Sequence, residues 1–379
     1  MMINKERLFR EFKTLVEIDA ESYEERTMAD YLTERLRDLG LLVSEDDAGK
    51  RLAETKGIEL SKAAGNIYGR LPGNCPGEAL LFSSHMDTVN PGKGKRAVFH
   101  EDGTITSEGN TVLGADDAAG IASILEALTV IEEKHLKHPE IEVLFPVAEE
   151  AYGQGSRLVD YEKIHANYAY VLDLSGDVGT AAIAAPTILS VRITVHGKSA
   201  HAGFAPEEGV HAILIAAKAI AQIPNGHVDG ETTVNLGQIT GGNADNIVPN
   251  LCTVTGEVRS MTHEKALAQA DKIREAFEEE AKKAGGSVEV KIEEEVRAYR
   301  IPKEHEVVER FVKACAQNGF TDNLVETFGG SDNNHFVKNG MKGIVVACAM
   351  SNVHTKQEFT TESELAKSGE LALTLMTNV

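Results

Sequence analysis

The chain has 379 residues, 42% of them hydrophobic and 26% charged, with a formal net charge of −21. That length is too great for one simple core and implies two domains. The acidic balance argues against nucleic acid or an anionic membrane as the main partner, and no uninterrupted apolar run approaches the roughly 20 residues that span a bilayer. The charge does not identify a substrate, because much of it falls on helix faces such as EEEAKKAGG (278–286). Cys75, Cys252, Cys315 and Cys348 are scattered without a CxxC pair, so neither a disulfide framework nor a cysteine zinc site is expected. The opening MMINKERLFREF is charged and amphipathic and lacks the apolar core of a secretion signal, so the expected location is cytoplasmic.

Two helices are predicted first. Leu8, Phe12, Leu15 and Val16 share one helical face; Met28, Leu32, Leu36 and Leu39 share another, with Gly40 placed to end it. The next apolar runs, ALLFSS (79–84), IEVLFPVA (141–148) and YAYVLD (168–173), are short and nearly continuous. Such runs fit strands buried on both faces of a parallel or mixed sheet. Between the first two, Ile121, Ile124, Leu125 and Leu128 mark a helix.

The middle of the chain has a different pattern. Leu189, Val191, Ile193 and Val195 alternate with polar residues, as in a half-buried strand. A helical stretch (209–223), two strand candidates (232–239 and 252–259), a long amphipathic helix (263–283) and an alternating SVEVKI (287–292) follow. The order β-α-β-β-α-β is that of a ferredoxin-like α+β unit, expected at 185–296. GIVVACAM (343–350) then returns to the buried-strand pattern. Residues 1–184 and 297–379 therefore read as one α/β domain with a mixed sheet and helices on both faces.

Open α/β sheets build sites beyond the carboxyl ends of their strands. At such positions stand His85 in SSHMDTV, Glu150 in VAEEAYG, Asp173 in YVLDLSG and His354 in SNVHTKQE; Asp116 in GADDAAG stands just before a helix. Taken singly, each has a plainer reading: a solvated helix start, a capping turn, a structural histidine. Together, three acids and two imidazoles make an inner shell for two zinc-like ions with one carboxylate bridging. Glu149, beside one ligand, and Asp87, two residues past another, are acids free for other work. The set points to a hydrolase. No G-x-G-x-x-G follows the first strand and no G-x-x-x-x-G-K-[ST] occurs, which sets nucleotide-binding readings aside.

The ordered set SSHMDTV, GADDAAG, AEE, LDLSG and a late NVH resembles the co-catalytic dizinc exopeptidases that include peptidase T and glutamate carboxypeptidase, and is most similar to the peptidase T-like branch. The resemblance runs over essentially the whole chain. It implies a zinc exopeptidase catalytic domain with an inserted lid domain, two zinc ions per subunit (cobalt or manganese as possible substitutes) and a homodimer formed through the lid. It assigns His85 and Asp173 to one metal, Glu150 and His354 to the other, and Asp116 to both. Asp87 would orient His85, and Glu149 would be the general base. The Asp116–Asp117 peptide bond is expected to be cis. His201 in GKSAHAG would stabilise the oxyanion, often from the neighbouring subunit. Asn246 and Arg259 would hold a substrate carboxylate, and Gly330 and Ser331 would line the substrate backbone. Two positions depart from many relatives, which carry a lysine at Ala118 and an acid at Ala148; neither supplies a metal ligand, so the inner shell is intact and the departures bear on subfamily and substrate.

The activity these residues imply is that of an aminopeptidase acting on short peptides such as tripeptides. A carboxypeptidase or an N-acyl-amino-acid amidohydrolase would use the same metals and fold. An inactive peptide-binding paralogue would have lost a ligand or the base, and this sequence retains all six.

Overall fold

Helix α1 (Lys5–Glu17) buries Leu8, Phe12, Leu15 and Val16 along one stripe, and α2 (Arg26–Asp38) buries Met28, Leu32 and Leu36. Gly40 ends α2 with φ +79°, a left-handed conformation that glycine adopts without steric cost. That turn lets the Leu41 N–H reach the Leu36 carbonyl at 3.0 Å. The computed structural model describes residues 3–377, which divide into two units. One runs to Ala184, resumes over Arg300–Thr327 and continues from Ser331; the other is Ala185–Tyr299 together with Phe328–Gly330.

After α2 come β1 (Leu42–Glu45), α3 (Ala48–Lys56), β2 (Ile67–Leu71), β3 (Leu80–Ser83), β4 (Ala97–Phe99), β5 (Thr104–Ser107), α4 (Ala115–Lys134), β6 (Ile141–Phe145), β7 (Tyr168–Ser175) and β8 (Thr180–Ala185). The second unit holds β9 (Thr187–His196), α5 (Ala212–Ile220), β10 (Gly226–His227), β11 (Thr232–Gly241), β12 (Leu251–Ser260), α6 (His263–Ala284) and β13 (Ser287–Val296). The chain closes with β14 (Tyr299–Arg300), α7 (Glu306–Asn318), β15 (Asn323–Glu326), α8 (Asp332–Lys338), β16 (Lys342–Met350), β17 (Phe359–Thr361) and α9 (Glu362–Thr377). Among the described residues no helix is long and apolar enough to cross a membrane.

The large sheet of the first unit is mixed, in the order β1-β2-β6-β3-β7-β16-β8-β14, with β15 on β8. Its middle four strands, β6, β3, β7 and β16, are mutually parallel. All five residues of β6 and all four of β3 are buried, which explains their mostly apolar sequence, interrupted only by Glu142 and Ser83. Side chains alternate between the two faces. On one face Leu81, Leu144, Ala169, Val171 and Val345 pack with Phe336 of α8. On the other, Phe82 stacks on Tyr170 with centroids 5.5 Å apart, and the Tyr170 hydroxyl donates to the Val307 carbonyl of α7. Phe82→Ala empties that second layer and is expected to cost about 3–5 kcal/mol of stability. A urea-denaturation midpoint equivalent to less than about 1 kcal/mol of loss would contradict the packing described.

The five strands of the second unit form an antiparallel sheet, ordered β10-β11-β12-β9-β13. The first strand of the unit, β9, lies between β12 and β13, as a ferredoxin-like βαββαβ unit requires. Val191, Ile193 and Val195 of β9 pack with Ala212, Ile215 and Ala219 of α5 and with Ala270, Ile273 and Phe277 of α6. Phe328–Gly330, placed by the sequence reading in the first domain, clusters instead with this unit. The reason is local: Arg259 Nη1 donates to the Phe328 carbonyl at 2.9 Å, and the His227 ring meets the Phe328 ring edge-on at 6.1 Å.

Candidate metal centre

The four parallel strands β6, β3, β7 and β16 deliver their carboxyl ends side by side. His85 lies two residues past β3, Glu149 and Glu150 follow β6, and His354 is four residues past β16. Asp173 sits inside β7, which continues to Ser175 and does not end at the aspartate as its sequence suggested. Opposite it the β7–β16 register slips between Val345 and Ala347 and again before Met350. Asp116 occupies the opening of α4, where its ψ of 96° and the ψ of 32° at Asp117 are non-helical, and the Asp116–Asp117 peptide bond is cis.

The two carboxylate oxygens of Asp116 serve two different histidines. Oδ1 lies 2.9 Å from His85 Nε2, and Oδ2 lies 3.2 Å from His354 Nε2. Asp173 Oδ1 is 3.8 Å from the same His85 nitrogen, and Glu150 Oε2 is 3.0 Å from the same His354 nitrogen. The five side chains thus fall into a His85–Asp173 half and a His354–Glu150 half, joined by Asp116. His85, Asp116 and Glu150 place one potential ligand atom each within 4.8 Å of one another, as do His85, Asp117 and Asp173.

Asp117 differs from its neighbour in its partners. Its carboxylate accepts from the Ser84 hydroxyl, from the His85 N–H at 3.1 Å and from Cys348 Sγ at 3.4 Å. It fastens the loop beneath His85. Asp87 has a comparable task. It accepts from Ser22 Oγ at 2.7 Å and from the N–H groups of Glu149 and Glu150 at 2.9 and 3.2 Å, while lying 3.4 Å from His85 Nδ1. One buried carboxylate therefore braces the turn that carries the two glutamates and lies beside the imidazole. The Glu149 carboxylate is outside all of these short ligand contacts.

Charge explains why this arrangement suits cations. Burial pushes Glu149 and Asp173 well above the usual carboxylate range, and neighbouring acids add to it, Asp332 and Glu150 for Glu149 and Glu149 for Asp173. For Asp116 burial acts the same way, but hydrogen bonds from His354 and His85 overcome it and hold the carboxyl below its ordinary value. In return Asp116 and Glu150 raise His354 to about 10, and His85 is raised by Asp116 and Asp87 in spite of its burial. Among the described residues, Glu150 Oε1 is buried without a hydrogen-bond partner. An N/O donor set with an excess of carboxylate and an unsatisfied oxygen fits a pair of divalent ions.

Three buried acids around this centre had no signal in the sequence. Glu25 Oε1 accepts from the Ala148 N–H at 3.0 Å, bracing the turn at a residue with φ +50°, and its carboxyl is raised to about 8 by burial and by Asp87. Glu358 accepts from the N–H groups of Gly114 and Asp116 at 2.7 and 2.9 Å, and burial raises it to about 7. Asp332 is also raised to about 7, by burial, against a bond from Ser156. A third acid cluster, Glu140, Glu142 and His165, lies at the opposite end of β6, where Arg70, Tyr68 and the His165 and Ala166 N–H groups satisfy it.

The residues expected to bind substrate fall into separate groups. His201 is exposed; its Nδ1 accepts from the Gly203 and Phe204 N–H groups at 3.1 and 3.2 Å, which leaves Nε2 to carry the proton. The Phe204 ring stacks on the imidazole at 4.2 Å. Asn246 is exposed and close by, its carbonyl accepting from the Ala202 N–H at 3.0 Å. Arg259 is not with them. Asn246 precedes β12 and Arg259 is its ninth residue, and that extended run separates their surroundings by about 30 Å. One molecule of a small ligand cannot touch both in the same chain. Gly330 is exposed in the second unit, whereas Ser331 is buried at the start of α8 with its N–H donating to Asn334 Oδ1 at 3.0 Å.

Residues 183–285 match the family model for the peptidase dimerisation domain of the M20 peptidases, and residues 66–220 match that of peptidase family M28. The chain is 40% identical to the YqjE protein of Bacillus subtilis (strain 168) over 375 residues, 99% of both chains. Among solved structures, an aminopeptidase PepT from Bacillus cereus ATCC 10987 is 41% identical with a TM-score of 0.89, covering 100% of this chain and 99% of that one. The chain belongs to the peptidase T-like branch of the M20 peptidases. It is a peptidase, a hydrolase of peptide bonds. A tripeptidase from Staphylococcus aureus subsp. aureus Mu50 has the same fold, with a TM-score of 0.93 at 34% identity and coverage of 100% and 99%. The second unit of this M20 peptidase is the part that the dimerisation model matches.

Proposed function

We propose that the protein is a cytoplasmic, zinc-dependent aminopeptidase that removes the first residue from short peptides, tripeptides above all. The observation that carries the reading is Asp116, whose two oxygens lie 2.9 and 3.2 Å from histidines of two separate half-sites. His85 and Asp173 would hold one ion, His354 and Glu150 the second, and Asp116 both. When bound, two such ions polarise a scissile carbonyl and make a water more acidic. Cobalt or manganese would fit the same donors. The unpaired state of Cys75, Cys252, Cys315 and Cys348 supports the reducing compartment.

The chain's own residues divide the remaining work. Glu149 takes the proton of the attacking water and returns it to the leaving amine. Asp87 keeps the His85 ring oriented and the Glu149 turn in place. His201 presents Nε2–H as a donor to the oxyanion. Arg259 meets the far end of the substrate, and Gly330 and Ser331 border its backbone. Because Asn246 and His201 are about 30 Å from Arg259 along β12, both groups can serve one substrate only if two copies of the chain each contribute one. That separation and the dimerisation-domain match support a homodimer joined through the second unit, which we read as a lid.

Zinc-loaded protein incubated with free tripeptides, amino-blocked tripeptides and N-acetyl amino acids, with and without chelator, tests the reading by mass spectrometry. Chelator-sensitive loss of the first residue from free tripeptides alone is expected. Cleavage of the blocked substrates would transfer the assignment to a carboxypeptidase or an amidohydrolase.

A further inference from the structure

Arg259, the proposed anchor for the far end of the substrate, already holds a carboxylate. Its Nε and Nη2 donate to the two oxygens of Glu257 at 2.7 and 3.0 Å, a side-on fork. The two residues are i and i+2 on β12, so their side chains share one face of the strand. Nη1 is spent on the Phe328 carbonyl at 2.9 Å. A guanidinium has five N–H groups; among the described residues three are engaged, leaving one on each terminal nitrogen for a second acceptor. Both side chains are only about a quarter exposed, 28% for Arg259 and 23% for Glu257, so water screens the pair incompletely.

We infer that Glu257 is a specificity-determining residue: by clasping Arg259 and neutralising it, Glu257 weakens the enzyme's reading of a substrate's free C-terminal carboxylate. The inference rests on the aminopeptidase reading and on Arg259 as anchor. An incoming carboxylate finds two correctly placed N–H donors but meets a like charge across the same guanidinium. The contact orients the substrate and adds little attraction. Such an enzyme accepts a C-terminally amidated tripeptide nearly as well as the free acid, because its hold on the chain end does not depend on a negative charge there. Glu257→Gln keeps the shape and one acceptor oxygen while removing the competing charge.

The test compares kcat/KM and KM for one tripeptide and its C-terminal amide in the metal-loaded enzyme, for the wild type, Glu257→Gln, Glu257→Ala and Arg259→Gln. Glu257→Gln and Glu257→Ala are both expected to lower KM for the free acid by about 2–5-fold, raising the acid-to-amide ratio, as removal of one like charge at a partly exposed site should. Arg259→Gln is expected to lower that ratio below the wild-type value. An unchanged or reduced ratio in both Glu257 variants overturns the inference while the aminopeptidase reading stands. An unchanged ratio in Arg259→Gln overturns it through the anchor. Failure of the wild type to cleave either peptide defeats the functional reading itself.

Discussion

Glu149→Gln is expected to lower kcat by about 10²–10⁴-fold, the usual contribution of a general acid–base, with the metal content near that of the wild type. The expectation follows from what the Glu149 carboxylate does not touch. His85, Asp116, Asp173, Glu150 and His354 are linked by contacts of 2.9–3.8 Å, and among the described residues Glu149 stands beside them with only its backbone hydrogen-bonded, to Asp87 and Gly153. Gln preserves the size and the turn but cannot take a proton. Elemental analysis alongside steady-state kinetics separates the outcomes. Unimpaired turnover would remove Glu149 from the mechanism, and loss of both activity and metal would make it a ligand.

How much of this could be read beforehand follows from burial. The strands of the parallel core show in the sequence because both their faces are covered: ALLFSS and GIVVACAM have almost no polar interruption. The same property misleads at their ends. IEVLFPVA reads as one strand, yet pairing stops at Phe145, since Pro146 has no N–H to give and Ala148 turns back with φ +50°. The loop remains apolar because it is buried too. Edge strands and very short strands leave no trace of this kind: β1 is largely exposed, and β4, β5 and β17 are three or four residues long. The stripe of Val307, Phe311, Ala314 and Cys315 ahead of Gly319 does encode α7.

The candidate metal centre is legible for a different reason. Histidine and acid residues at the ends of apolar runs are the positions an open α/β sheet gathers together, so chain order and element type suffice. The braces behind them are not. Glu25 begins a helix, where an acid ordinarily faces water; only the fold turns it inward to the Ala148 N–H. Nor does a spacing of thirteen residues between Asn246 and Arg259 convey distance. Folded as a helix those residues would lie about 20 Å apart, but the intervening β12 is extended and carries them to opposite ends of the sheet. Equally, the pairing of Arg259 with Glu257 depends on two residues sharing one face of a strand, which becomes informative only once the strand is known.

Asp116→Ala is expected to lose both ions. Each half-site without it keeps two protein ligands, His85 with Asp173 and His354 with Glu150, one fewer than the three that catalytic zinc sites ordinarily use. Asp117 is poorly placed to substitute, since its oxygens are held by Ser84, the His85 N–H and Cys348. Its own replacement by Asn would instead disturb the seating of His85. The readout need not be activity. A ligand that binds only the folded state adds RT ln(1 + [L]/Kd), about 2.7 kcal/mol at a hundredfold excess over Kd, so added zinc should raise the melting temperature of the wild type and leave that of Asp116→Ala unmoved. Metal-to-protein ratios after gel filtration give the same answer directly. Retention of two ions by Asp116→Ala would move the bridge to another carboxylate, with Asp117, which shares a potential ligand cluster with His85 and Asp173, as its first candidate.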